Sequence, residues 1–300
     1  STRELASLKV GDDIIGTVRR GHYRRYASTK VLAHWTSEKS AYRVVLQDGT
    51  ELVASADHRF LTERGWKHVA QLAGTRQRPH LTVRNKLMGF GAVRPSPASL
   101  CADYQRGYVC GMVRGDGHLG FYPYQREGRA NGHQYRFRLA LIDSEALSRT
   151  ADYLRGFGVA TQSFLFQQQR PGYREIRAIR ASSQSAFRRI EELISWPDSG
   201  PQAWSRGFLS GLYDAEGSYS GGVLRIANSD RPMLERAAAC LARLGFNTVL
   251  ETRPEMAGRK VMHNLRIRGG LPEHLRFFQA ISPAISRKCS IAGQAVKSEA

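Results

Sequence analysis

Residues 106–117 read RGYVCGMVRGDG, and the pattern recurs at residues 206–217 as RGFLSGLYDAEG. Small residues fall at every fourth position of each copy, at Gly107, Gly111 and Gly115 in the first. On an α-helix this spacing forms a single stripe, and a stripe without side chains allows two backbones to approach closely. Glycine inside a helix costs about 1 kcal/mol relative to alanine, so the stripe needs a packing reason. We therefore expect two helices that pack on each other along it.

A second repeat accompanies the first at a different offset. Nine residues from Arg138 to Thr161 match residues from Arg225 to Thr248. The two offsets are 206 − 106 = 100 and 225 − 138 = 87, so the first copy has a longer loop, around residues 120–132. One half therefore reads as helix, strands, helix, strands, helix, and the chain makes it twice. The expected fold class is α+β, with a pseudo-twofold axis between two αββαββα halves.

Composition divides the chain into four parts. Residues 1–75 read as a β domain, because Asp48-Gly49 between two alternating apolar runs predicts a hairpin. Residues 76–98 are basic and rich in proline and glycine, which predicts a linker. The two halves then occupy residues 99–199 and 200–300. Helical periodicity in these halves predicts helices at Tyr104–Gly115, Ser144–Phe157, Ser185–Ile194, Trp204–Ala215 and Pro232–Leu244.

Each repeated helix ends in an acid followed by glycine, Asp116-Gly117 and Glu216-Gly217. Glycine at this point suits a left-handed helix cap. Close packing around a pseudo-twofold axis would bring the acids side by side, where each meets the other and the negative ends of the helix dipoles. A divalent cation relieves this conflict, and oxygen ligands suit Mg²⁺. A single Asp-Gly would more often be an ordinary helix end, but two equivalent ones favour a metal site able to attack phosphodiesters.

Val109–Gly117 and Leu209–Gly217 resemble the two LAGLIDADG motifs of monomeric homing endonucleases, and the resemblance covers roughly residues 98–300. It implies that Asp116 and Glu216 are catalytic ligands of Mg²⁺, for which Ca²⁺ or Mn²⁺ substitutes. It also implies sheet saddles over the DNA major groove, and a monomer that cuts both strands of a long double-stranded target to leave 3′ overhangs. In the first motif Arg114 stands where an acid is common, and Gly115 where alanine is.

Members of this family also tend to carry a basic residue late in each half, near the scissile phosphates. Lys288 fits this position in the second half, and the resemblance therefore implies that it is a third catalytic residue. The matching stretch of the first half, Leu193–Pro197, has no lysine. Two unequal active sites would cut the two DNA strands at different rates.

The balance of charge indicates a polyanionic partner. Lys plus Arg number 45 against 26 Asp plus Glu, a formal net charge of +19. Nucleic acid is the commonest partner of such a protein, although charge alone would fit an RNA-binding protein equally well. Alternation of basic and apolar residues in strands of both halves favours DNA. The residues expected to contact DNA are Arg136, Arg138, Arg174, Arg177, Arg180, Arg225, Arg266 and Arg268.

The order of elements in the first 75 residues resembles the Hint fold of inteins. The resemblance rests on Leu8–Asp12, Leu46–Gly49, Ser55–His58 and Gly65-Trp66. In that family the equivalents of Ser55 and His58 polarise the peptide bond at the upstream splice junction. Splicing also needs a nucleophile well upstream of Val10 and a C-terminal His-Asn pair, neither of which is present. We therefore expect a partial Hint domain with vestigial Ser55 and His58, and no splicing.

Other features narrow the class of protein. The four cysteines form no CxxC pair, which argues against a zinc site and a disulfide scaffold and favours reduced thiols in an intracellular protein. No apolar run approaches membrane-spanning length, so we expect a cytoplasmic protein acting on nucleoid DNA. Two other functions fit the same scaffold, a non-cleaving DNA-binding regulator and an intron RNA maturase. Such regulators usually lose the acids, whereas Asp116 and Glu216 are both present.

Overall fold

The computed structural model describes residues 4–47, 49–71, 74, 76–88, 101–124, 132–197, 200–252 and 260–298. The chain forms two compact units. One unit comprises residues 1–95 together with residues 291–300, and the other comprises residues 96–290. The second unit contains both glycine-rich segments. None of the helices in the described ranges is both long and apolar enough to cross a membrane.

The first unit is built from short antiparallel strands, as its alternating sequence predicts. Its strands are β1 (Asp13–Arg20), β2 (Tyr23–Lys30), β3 (Ala41–Val45), β4 (Glu51–Ser55), β5 (Arg59–Thr62) and β6 (Gly65–His68). The pairs β1–β2, β3–β4 and β5–β6 are hairpins. A strand at Ala295–Ser298 adds to the free side of β2. These last residues thus belong to the first unit, whereas composition alone grouped them with the second half.

Residues 76–88 were predicted to be part of a linker, but the structure pairs them with the β5–β6 hairpin. The rest of the predicted linker, residues 89–98, lies outside the described residues. The backbone amide of His68 donates to Pro79, and that of Leu81 donates to His68. Farther along, the amide of Met88 donates to Leu61. The open edge of the β5–β6 hairpin leaves backbone groups that need partners, and this segment supplies them.

The second unit makes the αββαββα order twice, which confirms the predicted pattern. The first half consists of α1 (Ala102–Asp116), β7 (Gly117–Tyr122), β8 (Gln134–Leu141), α2 (Ser144–Gly156), β9 (Gln162–Gln167), β10 (Ile176–Ala181) and α3 (Gln184–Leu193). The second half consists of α4 (Gln202–Glu216), β11 (Gly217–Ser220), β12 (Val223–Asn228), α5 (Arg231–Arg243), β13 (Thr248–Thr252), β14 (His263–Ile267) and α6 (Gly270–Ile281). Each half has one antiparallel sheet, in the orders β7-β8-β10-β9 and β11-β12-β14-β13.

Helix α6 is the helix that periodicity did not predict. Its start reads Gly269-Gly270-Leu271-Pro272, a sequence typical of a turn. Both glycines do adopt positive φ, at 100° and 67°. Proline is nevertheless compatible with the first turn of a helix, where its missing N–H has no intrahelical partner anyway. The helix therefore begins inside what reads locally as a loop.

The stripes of small residues on α1 and α4 face each other, as expected. A Cβ added at Gly207 would lie 2.8 Å from the carbonyl carbon of Tyr104 and would overlap the carbonyl oxygen. A Cβ at Gly111 would lie 2.5 Å from the backbone nitrogen of Leu212. Backbone therefore contacts backbone along the helix pair, and only glycine permits it at these positions.

The glycines after the two helices serve a different purpose from the one predicted. Gly117 and Gly217 were expected in a left-handed cap, but their φ values are −79° and −80°, in the extended region. A Cβ at Gly117 would lie 2.6 Å from the carbonyl oxygen of Val113, and one at Gly217 would overlap the ring of Tyr213. Close approach to the preceding turn, and not backbone handedness, requires glycine here.

We predict that Gly211→Ala lowers the free energy of unfolding by about 1–3 kcal/mol or more, because the new methyl group overlaps the backbone of α1 at Tyr108. The matched control is Gly156→Ala at the end of α2, where a Cβ would meet only the side-chain oxygen of Gln105 at 3.8 Å. This control should stabilise by about 0.5–1 kcal/mol. Chemical denaturation measures both, and equal effects would contradict the backbone contact.

Candidate functional site

The candidate site lies where α1 and α4 end side by side. Asp116 and Glu216 are the last residues of these helices. A Cβ at Gly115 would lie 2.5 Å from the Cβ of Ala215 and 3.3 Å from the Cγ of Glu216. The missing side chain at residue 115 thus allows the two helix ends to meet. The Glu216 carboxylate also accepts a hydrogen bond of 2.6 Å from the Asn228 amide, which orients it.

The electrostatics of the pair disfavour two negative charges. The pKa of Glu216 is raised from 4.5 to about 7. Burial is the largest cause and the nearby charge of Asp116 acts in the same direction, whereas the hydrogen bond from Asn228 and the charge of Lys288 lower the pKa. Burial also raises the pKa of Asp116, even though this side chain reaches solvent, while Lys288 lowers it. Positive charge placed at the pair would stabilise both carboxylates.

Lys288 lies at the same helix ends, near both acids. Its Nζ donates to the carbonyl oxygens of Asp214 at 2.6 Å and Ala215 at 3.1 Å. These carbonyls form the negative end of the α4 dipole, which favours a cation. The Tyr213 hydroxyl donates to the Lys288 carbonyl oxygen at 2.8 Å and fixes the backbone. Burial lowers the pKa of Lys288, and the charges of Asp214 and Asp116 raise it.

The donor set is compatible with a hard divalent cation. The described part of the chain holds no cluster of three or more His, Cys, Asp or Glu side chains able to bind a metal. Mg²⁺ commonly uses one or two carboxylates, keeps several waters and takes further oxygens from substrate phosphates. Two adjacent carboxylates with raised pKa values therefore fit a hard divalent cation.

Arg114 and Asp214 occupy equivalent positions in the two motifs. Their contacts explain why an arginine stands in the first motif where an acid is common. The Arg114 guanidinium donates to the carbonyl oxygen of Ile194 at 2.9 Å and lies 4.0 Å from the centre of the Trp196 ring. Asp214 is 1% exposed and instead accepts from the amide of Ala284 at 2.7 Å. Each residue therefore binds the segment that follows the last helix of its own half, one as a donor and the other as an acceptor.

Asp214 belongs to a buried polar network that sequence reasoning missed. It also accepts from the amide of Ile285 at 3.0 Å and from the hydroxyl of Tyr108, on α1, at 2.8 Å. Burial raises the pKa of Asp214, and these donors lower it. The available signal was a second acid, Asp214, that follows the apolar residues of the second repeat two positions before Glu216.

The sheet of the first half presents arginine and aromatic residues on its open face. Phe137 and Leu139 of β8 are buried, and the alternate residues Arg136 and Arg138 are exposed. Arg138 lies opposite Arg180 of β10. The structure shows guanidinium groups over aromatic rings in the pairs Arg136–Tyr122, Arg138–Phe166 and Arg180–Phe164, at 5.3, 4.9 and 5.0 Å. The aromatic partners were not predicted, although the alternation of β9 indicates them.

Two other predicted contact residues of the first half lie elsewhere. Arg177 lies on the helix-covered side of β10, in register with Leu141, and forms an ion pair of 2.9 Å with Glu175. Arg174 is exposed in the connection between β9 and β10. The structure thus groups Arg136, Arg138 and Arg180 and separates Arg177 from them.

The sheet of the second half carries a more balanced charge. Arg225 lies opposite Arg266 and donates to the hydroxyl of Ser218 at 3.2 Å. Arg266 forms an ion pair of 3.0 Å with Glu251. Arg268 is exposed just beyond β14.

Ser55 and His58 occupy a tight turn of the first unit. The His58 amide donates to the Ser55 carbonyl oxygen at 3.1 Å. The Ser55 hydroxyl interacts with the Asp57 carboxylate, which Lys39 also contacts at 2.7 Å. The His58 ring lies 4.8 Å from that of Phe60.

Comparison with known proteins identifies part of the second unit. Residues 203–280 match the LAGLIDADG-like domain. These residues include Asp214, Glu216 and α5, and they end before Lys288. No curated protein sequence matches the chain.

Several solved structures of LAGLIDADG proteins are similar to this chain. Mesophilic variants of the homing endonuclease I-DmoI share 19% identity over 62% of this chain and 99% of that chain, with a TM-score of 0.49. I-DmoI in complex with DNA and Ca shares 21% identity over 60% and 90%, with a TM-score of 0.48. Full-length DUF199/WhiA from Thermatoga maritima shares 16% identity over 63% and 58%, with a TM-score of 0.42.

We predict that Glu216→Gln stabilises the metal-free protein at pH 8 by about 1–3 kcal/mol and has little effect at pH 4.5. Because the folded-state pKa is about 7 and the ordinary value is 4.5, the folded protein binds more protons between these values. The wild type therefore loses stability as pH rises through this window, whereas the amide does not titrate. Denaturation at both pH values, with exposed Glu235→Gln as control, measures the effect. A gain independent of pH would contradict the assignment.

Proposed function

We propose that this protein is a site-specific, metal-dependent endonuclease that cuts double-stranded DNA. The observation that carries the proposal is the pair Asp116 and Glu216, held together at the ends of two helices in backbone contact, with raised pKa values. A protein has little reason to hold two acids together at the negative ends of two helices without a cation. The net charge of +19 and the exposed arginines of two sheets support a nucleic acid as the substrate.

In the proposed mechanism Asp116 and Glu216 would hold the divalent cation, Mg²⁺ in the cell, for which Ca²⁺ or Mn²⁺ would substitute. A bound cation supplies an activated water and neutralises charge on the phosphate in the transition state. Asn228 orients the Glu216 carboxylate by its hydrogen bond. Lys288 keeps a positive charge beside the acids and stabilises negative charge that develops on the scissile phosphate.

The solvent-facing arginines would hold the DNA on both sides of this centre. Arg136, Arg138 and Arg180 supply charge from the first half, and Arg225, Arg266 and Arg268 from the second. Arg174 fits a contact beyond the sheet, whereas the position of Arg177 on the helix-covered side of its sheet disfavours a direct contact. The second half has Lys288, whereas the matching stretch of the first half, residues 193–197, has no lysine. This difference supports unequal cleavage of the two DNA strands.

We also propose that the first unit is a Hint-like domain of intein origin. Its hairpins and the Ser55–His58 turn support this origin. The pairing of Ala295–Ser298 with β2 also supports it, because residues from both sides of the second unit then build one sheet.

The test of the function is incubation with a randomised double-stranded DNA library, with Mg²⁺ or with EDTA, followed by sequencing of the cut ends. We expect Mg²⁺-dependent cuts at one long site with short 3′ overhangs. Selective retention of DNA without cutting would indicate a DNA-binding regulator instead. If neither occurs, binding of structured RNA tests the maturase.

We predict that Asp116→Asn and Glu216→Gln each abolish double-strand cleavage and leave DNA affinity within a few-fold of the wild type. Each substitution removes a ligand charge and preserves the shape of the side chain. Cleavage and gel-shift assays on one site measure the two effects, with Glu235→Gln as the matched control. Affinity that falls in parallel with cleavage would contradict a catalytic role.

We predict that Arg138→Gln with Arg180→Gln reduces the dependence of DNA affinity on salt. Each lost phosphate contact should lower the slope of log K against log salt by about 0.9. The control is Arg155→Gln, at an exposed position of α2 where Arg155 forms an ion pair with Asp152. This change should leave the slope unchanged. Equal slopes for the double variant and the control would exclude phosphate contacts by this sheet.

A further inference from the structure

We propose that Asp143 and Arg287 form a positioning pair through which the first half fixes Lys288 beside the two carboxylates. Asp143 belongs to the first half and immediately precedes α2, whereas Arg287 precedes Lys288 in the segment after α6. The pair joins residues 144 positions apart in the chain. Its catalytic consequence rests on the proposed nuclease function, but the placement of Lys288 can be tested separately.

The geometry of the pair is bidentate. The Arg287 Nε donates to one carboxylate oxygen of Asp143 and its Nη2 donates to the other, both at 2.6 Å. The Asp143 side chain is 15% exposed and that of Arg287 56%. Two parallel, charge-assisted hydrogen bonds fix orientation as well as distance, so this arrangement differs from an ordinary surface ion pair.

Comparison of the two halves shows that Asp143 does not cap the helix that follows it, although its equivalent does. Asp230 is its equivalent in the second half, since 143 + 87 = 230. Asp230 caps α5 by accepting from the Met233 amide at 3.0 Å. Asp143 stands at the same position before α2 but makes no capping hydrogen bond with its side chain. The capping hydrogen bond that Asp143 lacks would stabilise α2 by about 1 kcal/mol. Its carboxylate binds Arg287 instead, so we infer that this ion pair contributes more to the fold or to the site.

The segment that carries Lys288 is anchored on both sides of this pair. Ile285 is buried in the core of the first half. The Ser286 amide donates to Glu145, also of the first half, at 3.4 Å. Lys288 itself bonds to the end of α4 in the second half. Arg287 is therefore the last contact with the first half before the chain reaches the carboxylates. Its ion pair with Asp143 fixes the position of the backbone next to Lys288.

The segment at the end of the first half is held differently. There Trp196 is partly buried and packs against the core of the second half, with the Arg114 guanidinium 4.0 Å and the Arg236 guanidinium 4.6 Å from its ring centre. This anchor is aromatic, and it brings no lysine to the acids. The Asp143–Arg287 pair is thus specific to the segment that delivers a cation.

The catalytic test compares Asp143→Asn, Arg287→Gln and the double variant with Asp152→Asn, a matched change at an exposed ion pair of α2. Each single variant should slow cleavage about tenfold or more, since small misplacements of a catalytic group have effects of this size. The double variant should be no slower than either single one. In a Lys288→Met background, Asp143→Asn should cause no further loss. Additive losses, or a full loss in that background, would overturn the proposal.

A second measurement does not depend on catalysis. Lys288 is protected by its hydrogen bonds, so an amine-acylating reagent at fixed pH should modify it slowly, as read by mass spectrometry of its peptide. Asp143→Asn should increase that rate several-fold at an unchanged melting temperature, and Asp152→Asn should not. An unchanged rate would overturn the positioning role. Should the wild type cut no DNA, the nuclease proposal fails, and this measurement still decides whether the pair places Lys288.

Discussion

The contact between the backbones of α1 and α4 is the constraint on which the rest of the second unit depends. Glycine on both helices removes the side chains that would hold them apart, and the helix ends then meet at Gly115 and Ala215. Because Asp116 and Glu216 follow directly, the same contact brings two acids together. The conformational cost of helical glycine and the electrostatic cost of paired acids therefore have a common origin in the geometry of the site.

Departures from symmetry between the halves are informative because the repeat defines what each position would otherwise do. Arg114 and Asp214 hold equivalent segments with opposite chemistry, one binding a carbonyl oxygen and the other two amides. Asp143 and Asp230 stand before equivalent helices, and only Asp230 caps its helix. The backbone is duplicated, whereas the polar contacts have diverged, and Lys288 of the second half reaches the helix ends.

Much of this architecture follows from the sequence, and the exceptions have physical reasons. Glycine spacing predicted the helix pair, because only backbone contact justifies those glycines. Spacing could not reveal Asp214 as a structural acceptor, since its donors are backbone amides far along the chain. The role of Gly117 was mistaken because glycine is needed for positive φ and for close approach alike, and the sequence does not distinguish them. The repeat predicted a last helix in the second half, but periodicity did not locate α6 because its first turn contains residues typical of a loop.

The segments that contain Trp196 and Ile285 each pack against the opposite half, and this exchange has a consequence for how the second unit folds. Trp196 packs against the core of the second half and Ile285 is buried in the core of the first, so each half contributes an apolar side chain to its neighbour. A half expressed by itself would leave a cavity where the missing side chain belongs and would expose the glycine face of its helix. Folding of the two halves is therefore coupled into one cooperative transition. An ancestor that carried one half per chain with this arrangement would have been a dimer with exchanged C-terminal segments, stable only as a pair.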